Sequence, residues 1–111
     1  MLDTVSLSHT ASLARFGHAL SDETRARILV ALREAPALPS DLSDALGVSR
    51  QKLSNHLACL RGCGLVTAER RGRTTLYRLS DSALAAALGD LLQLTLVVDP
   101  DCCSGEGCTC R

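Results

Sequence analysis

Cys59 and Cys63 stand four residues apart in Ser49-Arg50-Gln51-Lys52-Leu53-Ser54-Asn55-His56-Leu57-Ala58-Cys59-Leu60-Arg61-Gly62-Cys63, a run with helical periodicity. Residues at i and i+4 share a helix face, so two thiolates there can grip one soft metal ion. Two helical cysteines alone read most simply as small buried hydrophobes. A second group of thiols, Cys102, Cys103, Cys108 and Cys110, sits in a polar C-terminal stretch where packing has no use for them. That tilts the reading to metal capture by the helix pair plus a tail thiol. Adjacent Cys102 and Cys103 do not easily both reach one helix-bound ion, so one of them is expected to close the site. Cys108-Thr109-Cys110 can chelate by itself or collect metal for delivery. A donor set of thiolates, with no His or carboxylate at fixed spacing, favours large soft ions (cadmium, lead, mercury, trivalent arsenic) over cobalt or nickel. Four sulfurs would also suit zinc. No Cys-x-x-Cys occurs, so a thioredoxin-type oxidoreductase lacks its main signature.

The same helix carries groups that read DNA. Ser49, Arg50, Gln51, Ser54 and Asn55 fall on its outer face, while Leu53, Leu57 and Leu60 face a core. Gln and Asn pair bidentately with adenine and Arg with guanine; Ser, Lys52 and His56 more often take phosphates. His56 has no second histidine at ligand spacing, which disfavours a metal role, and His9 and His18 read as surface residues of another helix. Farther on, Arg70-Arg71-Gly72-Arg73 puts three guanidinium groups on a loop tip suited to phosphates or a minor groove. A solvated helix face and a charged loop explain either segment alone. Both together, in this order, point to nucleic acid.

The elements that must position these groups are legible as periods and stops. Ala11, Leu13, Ala14, Phe16 and Leu20 outline a first helix ending near Ser21-Asp22. Ser21 or Asp22 caps a second, which carries Ile28, Leu29 and Leu32 inward and stops before Pro36 and Pro39. A short helix over Asp41–Leu46, opened by Ser40 or Pro39, closes at Gly47, and Ser49 caps the thiol-bearing helix, which stops at Gly62 or Gly64. The period then changes. Leu65–Arg70 and Thr74–Leu79 read as strands joined at Arg71-Gly72. Ser80 or Asp81 caps a last helix from Ala83 to about Val98, and Pro100 ends it. The order is that of a winged helix-turn-helix: mainly α with a small β-hairpin, Leu46-Gly47-Val48-Ser49 making the turn. Residues 1–99 form the DNA-binding and dimerisation domain; residues 100–111 form a Cys-rich tail that stays unstructured without a ligand.

Bulk properties agree. The chain of 111 residues has the size of one domain. Its apolar side chains are slim, with no Trp, Phe16 the one Phe and Tyr77 the one Tyr. Leu, Ala and Val must fill the core, and a dimer would bury more surface than so small a domain can alone. The net charge of zero conceals an asymmetry: seven of the twelve basic residues, against the single acid Glu69, fall between Arg50 and Arg78. A basic central third fits a nucleic-acid surface. The N-terminus lacks the basic and apolar regions of a signal peptide, and Leu91–Val98 is too short to span a bilayer. A cytoplasmic protein with no membrane partner is expected, and six cysteines in a reducing compartment read as ligands or redox thiols.

Two blocks resemble the ArsR/SmtB family of metal-sensing winged-helix repressors: Ser54-Asn55-His56-Leu57-x-Cys59-Leu60-Arg61-Gly62-Cys63-Gly64-Leu65-Val66, and Gly17-x-Ala19-Leu20-x-Asp22-x-Thr24-Arg25-x-Arg27-Ile28-Leu29-Val30-Ala31-Leu32. The likeness covers about residues 11–100 and is strongest to the cadmium- and lead-sensing branch, to which a Cys-x3-Cys in the recognition helix is quite specific. The Cys-Val-Cys of other branches would fall near Pro39-Ser40-Asp41-Leu42, and the last helix lacks the histidines of the zinc sensors. The resemblance implies a homodimer through the first and last helices. It would hold operator DNA when metal-free and release it on binding cadmium or lead, with Cys59 and Cys63 as ligands and a third cysteine just beyond the last helix. Here Cys102 or Cys103 takes that place, with altered spacing after Val98 and with Cys108 and Cys110 as extra thiols.

Two other readings compete. A repressor answering to arsenite or thiol oxidation uses the same helix and tail. A metal-buffering protein makes the tail the working part but leaves the basic helix and wing unexplained. No nucleophile–base pair or cofactor loop suggests an enzyme.

Overall fold

Each helix starts where a short polar side chain or a proline can stand in for missing backbone bonds. The structure, a computed structural model, describes residues 6–99; Cys102, Cys103, Cys108 and Cys110 lie outside the described residues. In α1 (His9–Leu20) the Ser8 hydroxyl accepts from the Ala11 N–H at 3.1 Å. In α2 (Glu23–Glu34) the Asp22 carboxylate accepts from the Arg25 N–H at 2.9 Å. The Arg25 side chain then reaches back to the end of α1, Nε donating to the Ala19 carbonyl at 3.1 Å and Nη2 to that of His18 at 2.9 Å. One residue thus opens one helix and closes the other. Helix α3 (Pro39–Leu46) begins at a proline, whose missing N–H is no loss in a first turn. It ends at Gly47, whose φ of 67° is a left-handed conformation that a Cβ would penalise. Ser49 accepts from the Lys52 N–H at 3.1 Å to open α4 (Arg50–Gly62), with Cys63 as its C-terminal cap.

Strands β1 (Val66–Arg71) and β2 (Thr74–Leu79) pair antiparallel, Val66 opposite Leu79 and Arg71 opposite Thr74. The turn is therefore Gly72-Arg73, one residue later than the expected Arg71-Gly72. Gly72 takes it at φ 62°. Ala37, in the α2–α3 loop, adds a single bridge to Tyr77, with N–H···O bonds of 2.9 Å in both directions. This ties the start of α3 to the wing.

Helix α5 (Ser82–Leu91) opens at Asp81, whose carboxylate accepts from Ala83 at 2.8 Å. It stops seven residues short of the expected Val98. Thr95, Val97 and Val98 are β-branched and favour helix weakly, and all three are exposed. Leu94, Leu96, Val97 and Val98 are 61%, 74%, 100% and 65% exposed. Helical stability comes mainly from packing an apolar face, and here that face has no partner among the described residues.

The core is aliphatic, as the composition required: Ile28 and Leu29 of α2 and Leu53, Leu57 and Leu60 of α4 are its fully buried large side chains. Two of the helix pairs around it matter for function. Arg33 crosses from α2 to α5, its Nε donating to the Ala85 carbonyl at 3.1 Å. Between α1 and α5 lies an open apolar groove of about 810 Å³ lined by Leu13, Phe16, Leu84, Ala87 and Leu91. Among the described residues no helix is long and apolar enough to cross a membrane.

Candidate functional site

Leu53, Leu57 and Leu60 hold α4 in the core, which fixes what its other faces present. Arg50, Gln51, Lys52, Ser54 and Asn55 are exposed together with the capping Ser49. Gln51 Nε2 donates to Asn55 Oδ1 at 3.3 Å, so the two amides meet one turn apart on the exposed face. The side chains of Arg50 and Lys52 have no hydrogen-bond or ion-pair partner among the described residues and keep their charge for an outside ligand.

His56 does not join them. Its Nε2 is buried, lies 3.8 Å from Asp22 Oδ2 and makes no hydrogen bond. Expected from the sequence among the DNA-contacting residues, His56 instead has its Nε2 facing the α1–α2 corner, with the side chain 15% exposed. The signal missing from the sequence was Asp22, which reads there only as a helix cap. Its carboxylate is held below its ordinary value, chiefly by the backbone N–H of Arg25; desolvation opposes this, and the charges of His56 and Arg25 add smaller lowering effects.

The wing's three guanidinium groups differ in their commitments. Arg71 pairs with Glu69 at 3.0 Å, and Arg78 approaches the same carboxylate at 3.4 Å. Arg70 Nε donates to the Gly72 carbonyl at 2.9 Å, bracing the turn. Arg73 is unpaired among the described residues. So the acid that seemed isolated in a basic stretch neutralises part of it.

Cys59 and Cys63 are both free thiols and both half-buried. The Cys63 N–H donates to the Cys59 carbonyl at 3.0 Å, the last α-helical bond of α4, so backbone geometry sets their one-turn spacing. Gly64, at φ 81°, turns the chain immediately afterwards. Among the described residues no cluster of three or more His, Cys, Asp or Glu side chains is arranged to hold a metal. His56, with its ring on Asp22, does not complete one. The donor chemistry fits a soft ion, as two thiols of a site whose further ligands must come from elsewhere.

Comparison with known proteins gives a consistent picture. Residues 22–68, from the α2 cap into β1, match the family described as bacterial regulatory protein, arsR family. The HTH-type transcriptional regulator CmtR of Mycobacterium tuberculosis is 55% identical over 91 residues, covering 82% of this chain and 77% of that one. The NMR structure of the cadmium metal-sensor CMTR from the same organism superposes with a TM-score of 0.66 at 56% identity, over 79% of this chain and 92% of that one. A probable mercury resistance operon repressor of Streptomyces lividans is 34% identical over 112 residues, covering 93% and 86% of the two chains. The homodimeric winged helix-turn-helix domain of Mb0332 from Mycobacterium bovis superposes with a TM-score of 0.71 at 26% identity, over 80% and 87%.

Proposed function

The chain belongs to the arsR family of bacterial regulatory proteins, and on that premise we propose that it is a metal-responsive transcriptional repressor that holds operator DNA until a thiophilic ion releases it. The observation that carries this reading is the placement of two free thiols, Cys59 and Cys63, on the one helix whose exposed face bears Arg50, Gln51, Ser54 and Asn55. Effector and DNA then act on a single rigid element.

Cys59 and Cys63 supply two ligands, and Cys102 or Cys103 of the tail supplies the third. Cadmium is the effector best supported, since a solved structure 56% identical to this chain is that of a cadmium metal-sensor; lead shares the same donor preference. A soft ion held there cross-links α4 to the tail. Residues 1–99 serve as the DNA-binding and dimerisation domain and residues 100–111 as the ligand-bearing tail. Two copies meet through α1 and α5, where the apolar groove and the exposed Leu13, Leu91 and Leu92 are left uncovered. That places two recognition helices on half-sites about one DNA turn apart. For release, the ion must bind the DNA-incompetent arrangement more tightly, and DNA must reciprocally weaken ion binding. The protein acts in the cytoplasm, with operator DNA and its own twin as partners.

The test is release of reduced, metal-free protein from a labelled fragment of its own promoter during titration with cadmium, and with lead, arsenite and zinc in parallel. Cadmium or lead should release it near one equivalent per subunit. Cys59→Ser should bind the fragment as wild type does and no longer respond. Release retained in Cys59→Ser would remove the thiol pair from the mechanism.

A further inference from the structure

We propose that a cleft between α3, α4 and the wing seats one phosphodiester of the DNA backbone, with the Ser40 and Thr75 hydroxyls as its hydrogen-bond donors. The proposal rests on the DNA-binding reading above and assigns to it two residues outside the recognition helix and the arginine-rich tip. The cleft has a volume of about 270 Å³ and is lined by Ser40, Arg50, Arg73, Thr74, Thr75 and Tyr77, with no acidic residue on its wall. Arg50 and Arg73 stand on opposite elements and are both unpaired among the described residues. Two guanidinium groups facing one cleft without an acid between them form a local excess of positive charge that an anion relieves.

The hydroxyls divide in the same way. Thr74 Oγ1 already donates to the Arg71 carbonyl at 2.9 Å. Ser40 and Thr75 are half-buried and have no side-chain hydrogen bond among the described residues, so their protons are available to a ligand. The walls are fixed before any ligand arrives. The Ala37–Tyr77 bridge clamps the loop before α3 to β2, and the Ser49 cap holds the first turn of α4. An anion seated here spans recognition helix and wing, and so sets the depth and register at which Gln51 and Asn55 meet base edges. Phosphate contacts of this kind position a protein without reading sequence.

The test measures binding of wild type, Ser40→Ala, Thr75→Val and Arg73→Gln to a duplex from the protein's own promoter and to an unrelated duplex of equal length. Ser40→Ala and Thr75→Val should each weaken binding to both duplexes by the same factor, about ten-fold, the scale of one hydrogen bond to a charged group. The salt dependence should be retained in both. Arg73→Gln should lower the log–log salt slope by about one. Replacing each phosphate in turn by methylphosphonate should reveal a position that weakens wild type more than it weakens Thr75→Val, the remaining loss in the variant being the attraction of Arg50 and Arg73. Wild-type affinity in both hydroxyl variants, losses confined to the promoter duplex, or no such phosphate position would overturn the seat while leaving DNA binding intact. Failure of wild type to bind either duplex would instead overturn the DNA-binding reading itself. Thermal melting equal to wild type shows that a variant's loss is not misfolding.

Discussion

His56 of the recognition helix turns its imidazole Nε2 to Asp22 at the α1–α2 corner, 3.8 Å from carboxylate Oδ2, and that nitrogen is buried while the neighbouring Asn55 and Ser54 are exposed. The contact is an ion pair whenever the ring carries its second proton. In either state it packs α4 against the cap of α2. His56 is therefore a positioning residue. His56→Ala should lower unfolding stability by about 1–2 kcal/mol, as expected for truncating a mostly buried side chain. It should also weaken operator binding without altering its salt dependence, because no phosphate contact is lost. A salt slope lower by about one unit in His56→Ala would return the residue to the phosphate-contacting set.

The Asp22 side of the pair sets an acid limit. Its carboxyl is depressed in the folded state, chiefly by the Arg25 backbone N–H, so folding favours the ionised form. The stabilisation is fully present above the ordinary value of 3.8 and is lost as pH falls through the lower folded value. Asp22→Asn keeps a capping oxygen but has no charge to lose. Melting curves across the acid range should show wild type losing thermal stability more steeply than Asp22→Asn once pH drops below the ordinary carboxylate range, with a constant offset between them near neutrality. Parallel curves throughout would show that Asp22 gains nothing from ionisation in the folded state.

What the sequence made legible were features with local causes. Gly47 and Ser49 marked the helix-turn-helix because a left-handed glycine and a hydroxyl cap act within a few residues. The leucine spacing of α4 identified its core face, and thereby which polar residues are outside. What escaped depended on distant partners. Asp22 turns His56 inward across a gap of more than thirty residues, and Ala37 pairs with Tyr77 through a bridge too short to leave a strand pattern. The extension of the last helix to Val98 failed for a related reason. Its apolar run satisfied helical periodicity, but Leu94 to Val98 find no surface to pack on among the described residues. Of the proposed metal site, Cys59 and Cys63 are described as free thiols one turn apart, and the tail cysteines lie outside the described residues.

Arg33 and Gly89 give a prediction in which two familiar effects oppose each other. Replacing a helical glycine by alanine ordinarily stabilises by up to about 1 kcal/mol, and Gly89 lies in the last turn of α5. Here a Cβ on Gly89 would lie 2.5 Å from Arg33 Nη2, and moving that guanidinium endangers its bond to the Ala85 carbonyl. Gly89→Ala alone should therefore stabilise by much less than about 1 kcal/mol, whereas in an Arg33→Ala background it should recover the full amount. Chemical denaturation of the four proteins of the cycle measures the difference. Equal gains in both backgrounds would mean that the guanidinium relaxes freely and does not stitch α2 to α5.

Leu13 offers the most direct test of how two copies meet. It is 69% exposed on α1, yet it lines the same apolar groove as Leu91, which is 41% exposed on α5. A leucine so placed adds little to the fold of one chain, so Leu13→Asp should leave the secondary structure of the protein unchanged. Buried against a second copy, however, an unpaired carboxylate is expensive. Sedimentation should show Leu13→Asp shifted from dimer to monomer at concentrations where wild type remains paired. Its melting temperature should also become less dependent on concentration. Operator affinity should fall steeply, because one recognition helix no longer brings the second to its half-site, while binding to a single half-site duplex should change little. A fully dimeric Leu13→Asp protein would place the interface elsewhere and leave the α1–α5 groove without an occupant.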